Sequence, residues 1–562
     1  MKTRKRLLAT LLTAVIASSF IAGCASGTGA GAGGSQANAG GNTEETAEAA
    51  VEEEAGETTT KDTFTWSSVI GIGDLNFAKS GGIPTSAMDS YVASFLVDRY
   101  FKEDGSFDIG VCERGLATDY KYDDDNMGIT FNLREGVKFH NGTEFTAKDA
   151  AFSIKLFSVR TGFEFIDYDN IKTDGDYTIY VPFTKLDGSA LIKISVIPMW
   201  SADHWDEVGD ETAFFTSEAI GTGPFKISEW VADDHVNTDR FDDYFGHKAI
   251  ISHCNYRFIP ENTVALAELQ SGGIDYIYRA DGNVVSDIEA GVYGDNIEVD
   301  KGLDEASLTI QFNSSADMFD SLELRQAVCY GTDRDAIQVG AFGEAAQKTW
   351  TVMSDRGQNL TQFPDDKWFY PYDVDLAKGK LEEAGYKDTD GDGYVESADG
   401  TPLKMRLITI GTQATQATTA EIFKNNMAQI GIDIEIIPYD LATWAQTTRN
   451  APDDWELYFL NQGGITSDSG REYNLHDMIS THLDASPNYD DYYNNWILPL
   501  SETIDSEEWM AKFRELEPLL MEKYLWWYPL VQNIDLAFRA SNCKGFKRIS
   551  YTTWMMEYIY FD

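Results

Sequence analysis

The chain has 562 residues, 92 Asp and Glu against 44 Lys and Arg, and a formal charge of −48. So large an acidic excess argues against nucleic acid as a partner. The five cysteines, with no CxxC pair or ligand-like spacing, argue against a zinc knuckle. Thirteen Trp, 28 Tyr and 31 Phe supply apolar material for two or three cores.

Lys2, Arg4, Lys5 and Arg6 precede an apolar run from Leu7 to Ala22, and Ile21-Ala22-Gly23-Cys24 sets small residues directly before a cysteine. This resembles the lipobox of bacterial lipoproteins. Residues 1–23 read as a secretory signal cleaved before Cys24, which is then acylated. A run of about 16 residues is short for a spanning helix, whereas a lipid chain anchors without spanning. Residues 24–62 read as a disordered tether: Ala25 to Thr60 contains seven Glu, no aromatic residue and no Lys or Arg. As a flexible coil it reaches roughly 30 to 36 Å. Without the signal's four cations and the tether's seven glutamates the body still carries about −45, as a soluble acidic surface would.

Along the body, Gly115-Leu116-Ala117 is followed by a block from Ile129 to Gly142, ITFNLREGVKFHNG, and then by Phe145-Thr146-Ala147-Lys148-Asp149. Gly136 and Gly142 suit turns, and Arg134 suits a carboxylate partner. Gly221-Thr222-Gly223-Pro224-Phe225 reads as a change of chain direction near a hinge. Asn255 to Pro260 predicts a strand, Asn262 the cap of a helix ended by Gly272-Gly273, and Ile274 to Ile277 a second strand. Arg325-Gln326-Ala327-Val328 leads to Asp333-Arg334, and a helix is expected over Val374 to Ala384, ended by Gly385. Strand, helix and strand recur over Lys404 to Ile410, Thr418 to Gln429 and Ile432 to Tyr439. Parallel sheets covered by helices follow. Tyr528-Pro529-Leu530 and Lys544-Gly545-Phe546 come near the end.

This ordered series resembles the large extracytoplasmic solute-binding proteins of ABC importers that take up oligopeptides, dipeptides or nickel, solute-binding protein family 5. The resemblance implies an α/β fold of two lobes, type II and cluster C, with an extra subdomain inserted in the first lobe. It implies lobe I over 63–305, with the insertion at about 90–200, lobe II over 306–528, and a return to lobe I over 529–562. Function would be capture of a small solute, peptide foremost, in the cleft and delivery to a membrane permease. No enzyme activity and no required cofactor are expected, and the protein would act as a monomer on the outer membrane face. In peptide-binding relatives the second lobe presents an arginine, then a Gly-Trp pair and an aspartate for the peptide's α-ammonium. Arg449 fits the arginine position, Asn461-Gln462 stand where Gly-Trp is expected, and the aspartate falls on Ile465 unless a three-residue shift brings in Asp468. Trp444 and Gln532 complete the candidate cleft set. Amides suit neutral polar groups, so a non-peptide solute such as a sugar or a nickel chelate stays open. His476 and His482 raise the nickel alternative, although their spacing of six fits no helix face. A secreted glycoside hydrolase or an adhesive surface protein is the alternative of another class, but the chain has no Gly-x-Ser-x-Gly elbow, His-Glu-x-x-His or phosphate loop.

Asp388-Thr389-Asp390-Gly391-Asp392-Gly393-Tyr394 places oxygen ligands at loop positions one, three and five, glycine at six and the Tyr394 carbonyl at seven. Calcium loops require that pattern. Glu396 and Asp399 are expected to finish the shell, making a structural calcium site or, on the plainer reading, an acidic surface turn.

Overall fold

The computed structural model describes residues 59–80, 83–101, 107–160, 162–278, 280, 282–349, 369–462, 482–547 and 554–562. Cys24, the tether up to residue 58, Ile465, Asp468 and His476 lie outside the described residues.

The strand–helix–strand units form with small shifts of boundary. His253–Phe258 leads to the helix Asn262–Ser271 and the short strand Tyr276–Ile277. Asn262 is the first helical residue rather than the cap, which is Glu261, while Gly272 ends the helix in the left-handed region at φ 79°. Only glycine enters that region without strain. Lys404–Ile410, Ala414–Gln429 and Asp433–Tyr439 form the second unit; its helix starts four residues earlier than expected. Val374–Glu383 is helical, and Gly385 follows at φ 91°.

Ten strands lie side by side in one mixed sheet, with an eleventh, Ala346–Lys348, off the path. Thr63–Ser68 runs parallel to His253–Phe258 and Tyr276–Ile277, and Lys404–Ile410 runs parallel to Asp433–Tyr439 and Leu457–Gln462. Between these two parallel groups stand the long antiparallel strands Ile297–Phe312 and Trp527–Ala540. The expectation of parallel sheets therefore holds for these two groups and fails at the centre and at the edge beyond His253–Phe258, where His235–Arg240 and Phe225–Val231 pair antiparallel.

Each lobe has its own core. Phe64, Trp66, Tyr91, Trp200, Tyr256 and Phe561 are buried together in the first. Leu308, Ile310, Met405, Phe423, Phe459 and Tyr528 are buried together in the second. The small sheet Ala117–Tyr122, Gly128–Leu133, Thr178–Pro182 and Lys172–Thr173 forms a third, around Ile129, Phe131, Phe139, Phe145 and Ile154. The block from Ile129 to Asp149 is therefore scaffold. Gly136 and Gly142 turn at φ 74° and 87°, and the Asp149 carboxylate accepts from Thr146 N at 2.9 Å and Ala202 N at 2.9 Å. Among the described residues Arg134 pairs with no carboxylate. Its guanidinium donates to the Gly115 carbonyl at 3.4 and 3.5 Å and lies 5.3 Å from the Phe245 ring. Gly221 and Gly223 pack against the backbone at the end of the helix Ile83–Val92.

Candidate functional site

The pairing of the crossing strands breaks midway. Leu303 faces Ile534, but the next partners are Ser307 and Gln532, so one strand advances four residues while the other advances two. Leu308 faces Val531 and Thr309 faces Pro529, a second break one residue on. Proline offers no N–H to the ladder, and extra residues loosen a ladder locally. The strands joining the two lobes are thus irregularly laddered at their middle.

Immediately beside that break, polar residues share one backbone register across the sheet. Gln462 faces Ser307, Ser307 faces Gln532, and Gln532 faces Gln347, so four strands carry polar residues at one register. At roughly 4.8 Å per strand the row spans about 14 Å. Ser307 and Gln532 are buried, and the Ser307 hydroxyl has no hydrogen-bond partner. Further along the same face Gln311 donates to the Thr309 hydroxyl at 2.7 Å, leaving Gln311 Oε1 without a partner. Buried polar atoms left this way cost on the order of 1–3 kcal/mol each.

The structure distributes the expected site residues unevenly. Gln462 and Gln532 share the register of Ser307, whereas Asn461 faces Leu308 and belongs to the opposite face, with its Oδ1 buried and unpartnered. Trp444 is 7% exposed and packs edge-on against Tyr458 at 5.5 Å, within an apolar cluster containing Ile408, Ile410 and Trp455. Arg449 stands half-buried in the last turn of the helix Leu441–Asn450, five residues from Trp444 and so on another side of that helix. His482 donates Nε2–H to the Thr448 carbonyl at 2.9 Å. Ser307, Thr309 and Gln311 were not singled out by sequence, yet they alternate with Leu308, Ile310 and Phe312, the signature of a strand with one polar face.

On the first lobe, the parallel strands end at Ser68, Phe258 and Ile277. Crevices in such sheets open beyond the carboxyl ends of the strands. The segment leaving Ser68 reaches Asp74, and behind it the helix Ile83–Val92 carries Asp89, 2% exposed with neither carboxylate oxygen hydrogen-bonded. Burial, and secondarily the nearby Asp74 charge, hold the Asp89 carboxyl well above the usual range.

Asp388, Asp390, Asp392 and Glu396 converge, with one ligand oxygen of each within 4.8 Å of the others. Asp388 accepts from Gly391 N at 2.6 Å and Gly393 N at 3.1 Å, and Glu396 accepts from Thr389 N at 2.9 Å. Asp399 lies outside this group; its carboxylate takes the Ser397 hydroxyl at 2.5 Å and Thr401 N at 3.1 Å. Cys112, Cys254, Cys329 and Cys543 are free thiols, the last three buried.

Two lobes on separate cores are thus joined by two crossing strands with a row of polar residues at their break. The chain matches the family model of the bacterial extracellular solute-binding proteins, family 5, over residues 112–478, and belongs to that family. It is 25% identical over 460 residues to the oligopeptide-binding protein AppA of Bacillus subtilis, covering 77% of this chain and 80% of that protein. To heme-binding protein A of Haemophilus influenzae it is 24% identical over 498 residues, covering 83% and 86%. The structure of NikA from Brucella suis in complex with Fe(III)-EDTA superposes with a TM-score of 0.73 at 20% identity, covering 89% of this chain and 100% of that one. The protein is an extracytoplasmic solute-binding component of an ABC importer with the two-lobe type II fold. It binds and delivers rather than catalyses.

Proposed function

We propose that this chain is a lipid-anchored receptor, held through Cys24, that captures peptides between its lobes and presents them to the permease. The observation that carries the peptide reading is the row Ser307, Gln532 and Gln347, with Gln462 at the adjoining backbone register. Amides and hydroxyls both donate and accept, as the alternating N–H and C=O groups of an extended peptide demand. The name of the Bacillus relative, an oligopeptide-binding protein, supports it. Arg449 supplies a charge for the peptide carboxylate.

Native mass spectrometry of protein purified without denaturation tests this reading. A heterogeneous series of peptide masses is expected; a single non-peptide mass, or an empty protein that no added peptide stabilises, overturns it. Arg449→Ala should weaken a bound peptide by about 1.5 to 3 kcal/mol, the value of a charge-assisted hydrogen bond, and an unaltered dissociation constant removes Arg449 from the site. Acylation is read by labelled palmitate: incorporation that survives Cys24→Ala removes the anchor.

We further propose that Asp388, Asp390, Asp392, the Tyr394 carbonyl and Glu396 hold a structural calcium ion, with Asp399 left outside. Metal-stripped protein should give binding heat with calcium, reduced by Asp390→Asn. Absence of heat in the wild type withdraws the ion.

A further inference from the structure

We infer that Asp89, with Asp74 at its rim, is a first-lobe subsite for the protonated amine of the captured solute; this rests on the peptide reading above. Among the described residues no cation pairs with Asp89. Arg114 donates to the neighbouring Ser90 carbonyl and lies 3.4 Å from Glu557 and 3.8 Å from Asp98. Asp74 spends Oδ1 on Asn76 N at 2.8 Å and brings a second negative charge rather than a counter-ion. A buried carboxylate with both oxygens unpartnered is a cost that folding alone does not reward, and a cation bearing N–H donors is the group that removes it. Next to Asp74, Gly73 is exposed, and Asp74 itself is half-buried. The place is also right, since the segment carrying Asp74 leaves the carboxyl end of Thr63–Ser68. A first-lobe amine subsite further accounts for Ile465 standing where the second lobe would present its aspartate.

The test compares tri-alanine with N-acetyl-tri-alanine by calorimetry on the full-length protein, as wild type and as Asp89→Asn, Asp74→Asn and Asp468→Asn. Acetylation is expected to weaken wild-type binding at least about 30-fold. Asp89→Asn should weaken tri-alanine by a similar factor yet leave N-acetyl-tri-alanine as the wild type binds it, with a smaller loss for Asp74→Asn. Asp89→Asn should also raise the melting temperature of the empty protein, because the unpaired acid is gone. Unchanged tri-alanine affinity in Asp89→Asn, equal loss for both peptides, or loss confined to Asp468→Asn overturns the assignment while leaving the peptide reading intact. Failure of the wild type to bind either peptide overturns the peptide reading and takes this subsite with it.

Discussion

Replacing Gly221 by alanine should destabilise the first lobe by about 3 kcal/mol or more, above the middle of the range for overpacked sites. The added Cβ would collide with the Val92 carbonyl oxygen and lie 2.9 Å from both Val92 C and Ala93 Cα. All three atoms are backbone, so no side chain can rotate away. The same approach recurs at Gly223, where a Cβ would stand 2.7 Å from Val92 C. His140 ties this run to the signature block: Gly221 N donates to His140 Nδ1 at 3.2 Å, and His140 Nε2–H donates to the Gly223 carbonyl at 3.1 Å. Only the neutral ring can accept at one nitrogen and donate at the other. Burial accordingly lowers the His140 pKa from 6.5 to about 4. As pH falls from 6.5 towards 4 the unfolded chain gains a proton that the folded one refuses, so this contribution is lost on acidification. Thermal melts of Gly221→Ala at neutral pH check the first claim. Gly379→Ala, mid-helix with nothing within 4 Å of the added atom, is the control and should stabilise by about 0.5 to 1 kcal/mol.

What the sequence disclosed follows from the range of the interactions involved. The block from Ile129 to Asp149 could be read because its strand, turns and capping residue act over a few positions. The parallel units could be read for the same reason. The crossing strands could not: Ile297–Phe312 begins with Glu298, Asp300, Lys301, Asp304 and Glu305, which obscure any alternation, and its partner Trp527–Ala540 is more than 200 residues away. The break between Leu303 and Ser307 exists only in that pairing. Trp444 shows the same limit, since a tryptophan near an expected ligand arginine cannot be told from a core residue until the apolar cluster around Tyr458 is seen. Asp89 was illegible because nothing in the helix Ile83–Val92 says that the segment from Ser68 to Asn76 will bury it without a partner.

Arg114→Met should cost about 3 to 5 kcal/mol, the penalty for stranding a buried charge. Arg114 and Glu557 are 7% and 0% exposed, and Arg114 Nε stands 3.4 Å from Glu557 Oε1, too loosely aligned for a hydrogen bond. Burial pushes the Glu557 carboxyl up, and Arg114 offsets this only in part. Burial likewise opposes the charge on Arg114, but Glu557, with Tyr244 and Asp98, outweighs it and keeps the guanidinium charged. The arginine is therefore the main charge offsetting both buried carboxylates, with Arg99 acting on Asp98 and His247 more weakly on Glu557, so its removal takes the largest compensation from each. Glu557→Met should cost less, because Asp98 at 3.8 Å still answers the guanidinium. The double variant Arg114→Met/Glu557→Met should recover at least about 1 kcal/mol over the sum of the single losses, since a buried pair exchanged for apolar side chains is often neutral. Denaturant unfolding of all four proteins reads this coupling directly. A coupling within error of zero would mean that the C-terminal segment is held to the subdomain boundary by packing of Met556, Ile559 and Phe561 alone, and that the charges there contribute nothing to its docking.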